Sequence, residues 1–190
     1  MLIHSASQLL TLAGGPQRGA RLGELGIIED GAVLVRNGAI AALGASADLR
    51  QQYKDEEQLD AQDKVVMPGL VDAHTHVVWA GDRAAEFELR LQGKSYLEIL
   101  DAGGGILSTV AATRAASVDD LVAQARPRLQ RMLAHGSTTI EAKTGYGLDL
   151  ATEIKLLDAI LRLDAEGPWE LVPTLLAAHA VPAEFKDRTD

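Results

Sequence analysis

The chain has 190 residues, 47% of them hydrophobic and 24% charged, enough apolar material for a sizeable core. Its formal charge of -9 argues against a general affinity for nucleic acid or anionic membranes, which rests on clustered Lys and Arg, and makes a small molecule the expected partner. The absence of cysteine removes disulfides, thiolate metal sites and Cys nucleophiles, so that any metal must be held by His and carboxylate. The N-terminus lacks the basic leader of a secretion signal, and no apolar stretch approaches the ~18 residues of a membrane span. The chain reads as soluble and cytoplasmic.

The first sixty residues read as short strands and turns. "QLLTL" is one strand; in "GIIEDGAVLVRNGAIAALG", Asp30-Gly31 and Asn37-Gly38 are hairpin signals between β-prone runs. "ADLRQQYKDEEQLDAQDK" predicts a short surface helix and a connection, giving a small β element over 1–61 and a second part over 62–190. The apolar run "KVVMPGLVDAHTH" predicts a strand buried on both faces.

Residues 80 to 116 are less regular, and the glycines at 103 to 105 predict a flexible loop; without a following Gly-Lys-Ser/Thr they are weak evidence for phosphate binding. "SVDDLVAQARPRLQRMLAHG" predicts a helix capped by Ser117 with Asp120, burying Val118, Leu121, Val122, Ala125, Leu129, Met132 and Leu133, kinked at Pro127 and ended by Gly136. "STTIEAK" is the next strand. A second helix follows in "DLATEIKLLDAILRLDAEG", with Asp149 as cap and Leu150, Ile154, Leu157 and Leu161 on its apolar face; "WELVPTLLAAHA" is a third strand. Alternating strands and helices specify an α/β fold with a parallel sheet, doubly wound or a barrel. A full (β/α)8 barrel takes about 250 residues, so the segment after Lys64 allows about three units.

His74 and His76, one residue apart, share a strand face at the end of the apolar run, a placement suited to chelating a divalent metal; otherwise they are polar residues where a strand emerges. A catalytic zinc usually takes three protein ligands and lowers the pKa of a bound water to about 7, so two histidines leave the set incomplete. His179, in "LLAAHA", is a third ligand, a substrate contact, a general acid/base or an ordinary strand-end histidine. His135, beside Gly136, suits a helix C-terminus; His4 has no assignable context. Arg83 either grips a substrate carboxylate or pairs with Asp82 or Glu86. Tyr146 lies between two glycines on a tight turn, placed to offer its phenol or simply to pack, and Lys143 reads as a strand-end lysine unless carbamylated.

"VVMPGLVDAHTH" after a small β element resembles the start of the barrel in the amidohydrolase superfamily. "AGDRAAEFELRLQGKSY", "GGGILSTVAATRAAS", "TTIEAKTGYGLDL" and "PTLLAAHAVPAE" together are similar to the imidazolonepropionase family, almost end to end and most weakly over the first sixty residues. The resemblance implies the N-terminal part of a (β/α)8 metallo-dependent hydrolase barrel preceded by part of a β-sandwich made from both chain ends. It implies hydrolysis of the ring amide C–N bond of 4-imidazolone-5-propanoate to N-formimidoyl-L-glutamate in histidine degradation. His74 and His76 would bind one zinc or iron ion, Arg83 would hold the propanoate, Tyr146 and His179 would line the imidazolone, and Tyr96 would approach it. The family's remaining ligands and its acid/base residue lie in later strands, so no catalytic acid or base is identified in this chain, and an inactive fragment is expected. Another cyclic amidohydrolase or deaminase, and a non-catalytic ligand-binding fragment, stay open as alternatives, as does assembly as a homodimer.

Overall fold

The computed structural model describes residues 1–101 and 103–185. Two compact units divide between Pro68 and Gly69. In the first, β1 (Leu2–Leu10) pairs antiparallel with β2 (Ile27–Arg36), which pairs antiparallel with β3 (Ala39–Ala45). The helix α1 (Ser46–Gln52) follows, and β4 (Gln58–Asp60) and β5 (Val65–Val66) both run parallel to β1. Leu2, Ala32 and Leu34 from the sheet form a small core with Leu49 of α1. Because β5 adds to β1, the stretch from 62 to 68 stays with the first unit rather than opening the second.

Asn37-Gly38 makes the expected two-residue turn, with φ of 52° and 74° and Arg36 opposite Ala39, the positive angles a hairpin of this length requires. Asp30-Gly31 does not turn the chain. Both residues lie inside β2, where Gly31 pairs with Ala6 at the edge of a register shift in β1, and a Cβ at Gly31 would meet Leu9 Cβ at 2.4 Å, so this glycine serves close packing between the strands. The first strand also starts at Leu2 rather than Gln8; alternate burial of Leu2, His4 and Ala6 follows the period of a strand with one covered face.

The second unit carries β6 (Leu70–Thr75), β7 (Ser137–Lys143) and β8 (Glu170–Thr174) in a parallel sheet of order β6-β7-β8. The run "KVVMPGLVDAHTH" is therefore two strands, split at Pro68, whose ring removes a ladder donor. Between β6 and β7 the segment expected to be irregular forms α2 (Ala84–Leu91), α3 (Tyr96–Asp101) and α4 (Ile106–Ala115), ahead of α5 (Val118–Ala134). Short helices with several small residues gave little periodic signal. Helix α6 (Leu150–Glu166) joins β7 to β8.

Ser117 and Asp120 form the reciprocal capping box at α5, and Asp149 caps α6 by accepting from Thr152 N at 2.8 Å. Helix α5 runs through Pro127 without interruption; the Ala123 carbonyl that loses its partner there belongs to an exposed residue, so water can satisfy it. The core joins Leu121, Ala125 and Leu129 of α5, Ile140 of β7, and Leu156, Ile160 and Leu163 of α6, all essentially inaccessible. The face expected for α6 is the wrong one. Leu150, Ile154 and Leu161 point to solvent, because this helix has two apolar stripes and the buried one contains the smaller Ala159 and the carboxylate of Glu153. Among the described residues no helix is long and apolar enough to cross a membrane.

Candidate metal and ligand site

Three segments leave the C-terminal ends of the parallel strands and bring four rings together. His74 is in the last turn of the pleat of β6, and His76 lies just past its end. Their ring centroids are 6.0 Å apart. The turn after β7 places Tyr146 4.9 Å from His76, and the segment beyond β8 places His179 4.7 Å from His76 and 6.0 Å from Tyr146. The third strand ends at Thr174, so His179 comes from a turn five residues later, not from the strand expected to contain it. Pro173 is its penultimate residue, and Thr174 O already accepts from Thr144 N at 3.0 Å as the chain turns away.

His76 is half-buried, and its buried Nδ1 has no protein hydrogen-bond partner. Burial is the main reason its pKa lies below the ordinary 6.5, with further lowering from His179 and His74. A neutral imidazole with a free, buried nitrogen beside a second imidazole has the chemistry of a metal-ligand pair. The described residues contain no cluster of three or more His, Asp or Glu able to hold an ion, so His179 does not complete a ligand set. Two neighbouring imidazoles are the nitrogen donors that His74 and His76 offer at this end of the sheet.

Arg83 sits immediately ahead of α2, and with Trp79, Thr109 and Tyr146 it lines a small open cavity of about 190 Å³. Its guanidinium donates to Glu86 Oε2 from Nε at 2.7 Å, and this contact is the main cause of its raised pKa; the phenols of Tyr96 and Tyr146 lie within electrostatic range. The other oxygen of Glu86 accepts from Gly105 N at 2.8 Å and Ser108 Oγ at 3.1 Å. The glycine stretch is thus no loose loop: Gly105 caps α4 and is tied to the residue that orients Arg83. Tyr96 opens α3 and is about half exposed.

The remaining candidates are structural. His135 is the C-cap of α5, and His4 is buried with Nδ1 2.8 Å from Ser5 Oγ. Lys143 pairs with Glu141, whose Oε1 also accepts from Thr174 Oγ1 at 2.7 Å. Sequence reasoning missed Glu153, a fully buried carboxylate beneath the Tyr146 turn, and Arg128. Arg128 donates to the carbonyls of Val77 and Trp79 at 3.1 and 2.8 Å and stacks 3.5 Å from the Trp79 ring centroid. A charged residue on a helix carries no sequence mark of such a role.

The fold is shared with part of Escherichia coli guanine deaminase, which superposes with a TM-score of 0.66 at 16% identity, covering 90% of this chain and 36% of that one. In sequence the chain is similar along its whole length to the imidazolonepropionases. It is 54% identical to the imidazolonepropionase of Chloroflexus aggregans and 50% identical to that of Herpetosiphon aurantiacus, matching 100% of this chain in both and 45% and 44% of those proteins. Residues 31–53 match the family model for the bacterial imidazolonepropionase-like composite domain. The chain therefore spans less than half the length of the curated relatives it matches.

Proposed function

We propose that this chain supplies the first metal ligands and part of the substrate-binding surface of a hydrolase that opens 4-imidazolone-5-propanoate to N-formimidoyl-L-glutamate. The supporting observation is the gathering of His74, His76, Tyr146 and His179 at one end of the sheet, with Arg83 beside Tyr146, in a chain 54% identical to an imidazolonepropionase. In this reading β6 to β8 begin a (β/α)8 barrel, the first unit is part of a composite β-sandwich, and the protein works in the cytoplasm.

His74 and His76 would hold one zinc or iron ion. When bound, the metal supplies positive charge that favours the ionised form of a water and polarises the ring carbonyl. Arg83 takes the propanoate carboxylate in a two-pronged contact, its planar fork matching the two oxygens, while Glu86 fixes the guanidinium from behind. With the carboxylate anchored, Tyr146 and His179 bear on the imidazolone ring and Tyr96 borders the anchored side chain. In the reaction the oxygen of water bonds to the ring carbonyl carbon, the C–N bond breaks, and a proton passes to the leaving nitrogen. None of the residues assigned here carries that proton.

The test is a chimera in which this chain replaces the matching 45% of the Chloroflexus aggregans protein. Hydrolysis of imidazolone propanoate is expected. Arg83→Met should raise KM roughly 10- to 100-fold, the loss of charge-assisted hydrogen bonds of about 1.5–3 kcal/mol. A chimera that prefers hydantoin or cytosine, or is indifferent to Arg83→Met, refutes the assignment.

A further inference from the structure

The turn that presents Tyr146 is closed from behind by a carboxylate with no part in the proposed reaction. Glu153, in the first turn of α6, is 1% exposed. Its Oε2 accepts from Gly145 N at 2.9 Å, and its Oε1 accepts from Gly147 N at 2.7 Å and Leu148 N at 2.9 Å. Three backbone donors from one short turn, together with the N-terminal end of the helix dipole, satisfy a charge that would otherwise be costly to bury. The dependence runs both ways: with the turn open the carboxylate is unsatisfied, and without the carboxylate three buried N–H groups lose their acceptor.

The turn leaves no room for alternatives. A Cβ at Gly147 would lie 2.8 Å from Thr152 Cβ and 2.9 Å from Glu153 Oε1, and one at Gly145 would lie 2.8 Å from His179 Cβ. On its outer side Thr144 Oγ1 accepts from Leu176 N at 2.9 Å, tying the same turn to the segment that leads to His179. Tyr146 is the residue between the two glycines whose amides Glu153 holds.

We propose that Glu153 is a positioning residue that locks the 144–148 turn and so holds Tyr146 against His76 and His179. Its importance for turnover rests on the reading that Tyr146 faces substrate; its role in holding the turn does not.

The 190-residue chain, labelled for NMR, tests this with Glu153→Gln and Glu153→Asp. Glutamine keeps one oxygen for Gly147 and Leu148 but turns an amide donor toward Gly145 N–H, and aspartate keeps the charge while falling one methylene short. Both variants should shift the amides of Gly145, Gly147 and Leu148 and abolish ring-proton contacts between Tyr146 and His76. The core signals of Ile140, Leu156 and Ile160 should stay in place. Persistence of the Tyr146 to His76 contacts in both variants, or loss of core and turn signals together in both, overturns the proposal, the second result marking a purely structural role. Titration with 3-(imidazol-4-yl)propanoate separates the two readings. If it leaves the His76, Tyr146 and His179 signals unmoved, the substrate assignment fails while the locking role of Glu153 stands on the variants alone.

Discussion

Gly145→Ala should disturb the site through a contact whose cost can be isolated. Gly145 has φ of +116°, and an added Cβ would stand 2.8 Å from His179 Cβ and 3.1 Å from Leu176 O. The positive φ costs an L-residue about 1–2 kcal/mol, and forcing extra volume against packed neighbours costs about 1–3 kcal/mol more. Gly93, in the same unit, has φ of +87°, and a Cβ added there would meet nothing within 4 Å, so Gly93→Ala carries the backbone cost alone. The difference between the variants is at least the steric contribution, about 1–3 kcal/mol, because φ of +116° lies further outside the left-handed region than +87° does. At about 2.1 cal/mol/K of unfolding entropy per residue, the Gly69–Asp190 unit should lose at least about 4 °C more in Tm with Gly145→Ala than with Gly93→Ala. Tryptophan fluorescence reports on this unit alone, since Trp79 and Trp169 are the chain's two tryptophans and both lie in it. Equal melting of the two variants would refute the packing argument.

Metal binding should depend on the strand-end pair: the His74→Ala, His76→Ala double variant should lose zinc affinity at least tenfold by calorimetry, and the His4→Ala, His135→Ala control should not. Glu86 has its pKa lowered from 4.5, chiefly by the Arg83 hydrogen bond, so its contribution is complete above that ordinary value and is lost as pH falls through the lowered one. Glu86→Gln should accordingly flatten the acid limb of the stability profile and leave the slope above pH 4.5 unchanged in denaturant titrations. Arg128→Met should cost about 1–3 kcal/mol, because the Val77 and Trp79 carbonyls lose their donor, and should change the emission of Trp79. Ser117→Ala should cost about 1 kcal/mol by removing the α5 cap.

Local rules served best where one residue's chemistry decides the geometry. Asn37-Gly38, the Ser117 capping box and the Asp149 cap were legible because turns and helix ends are governed by short-range hydrogen bonds and backbone sterics. The same Gly signal misled at Gly31, where Leu9 on the neighbouring strand, not a turn, calls for the missing side chain. The apolar face of α6 could not be chosen from periodicity, since Leu150, Ile154 and Leu161 compete with Leu156, Ile160 and Leu163 and only the position of β7 selects between them. In the candidate site the His74 and His76 pair was visible through strand alternation. Glu153 was not, because a glutamate in the first turn of a helix looks like an ordinary dipole partner until the preceding turn folds back onto it.

The parallel order β6-β7-β8 has a directional consequence. Among the described residues β6 and β8 each have a single neighbour in this sheet, so it can be extended at either side. Any strand that continues the parallel order must finish at the rim occupied by His74, His76, Tyr146 and His179, whatever its sequence. Additional strands would thus differ in what they bring but not in where they deliver it, and the opposite rim would remain free to accumulate changes that affect only folding.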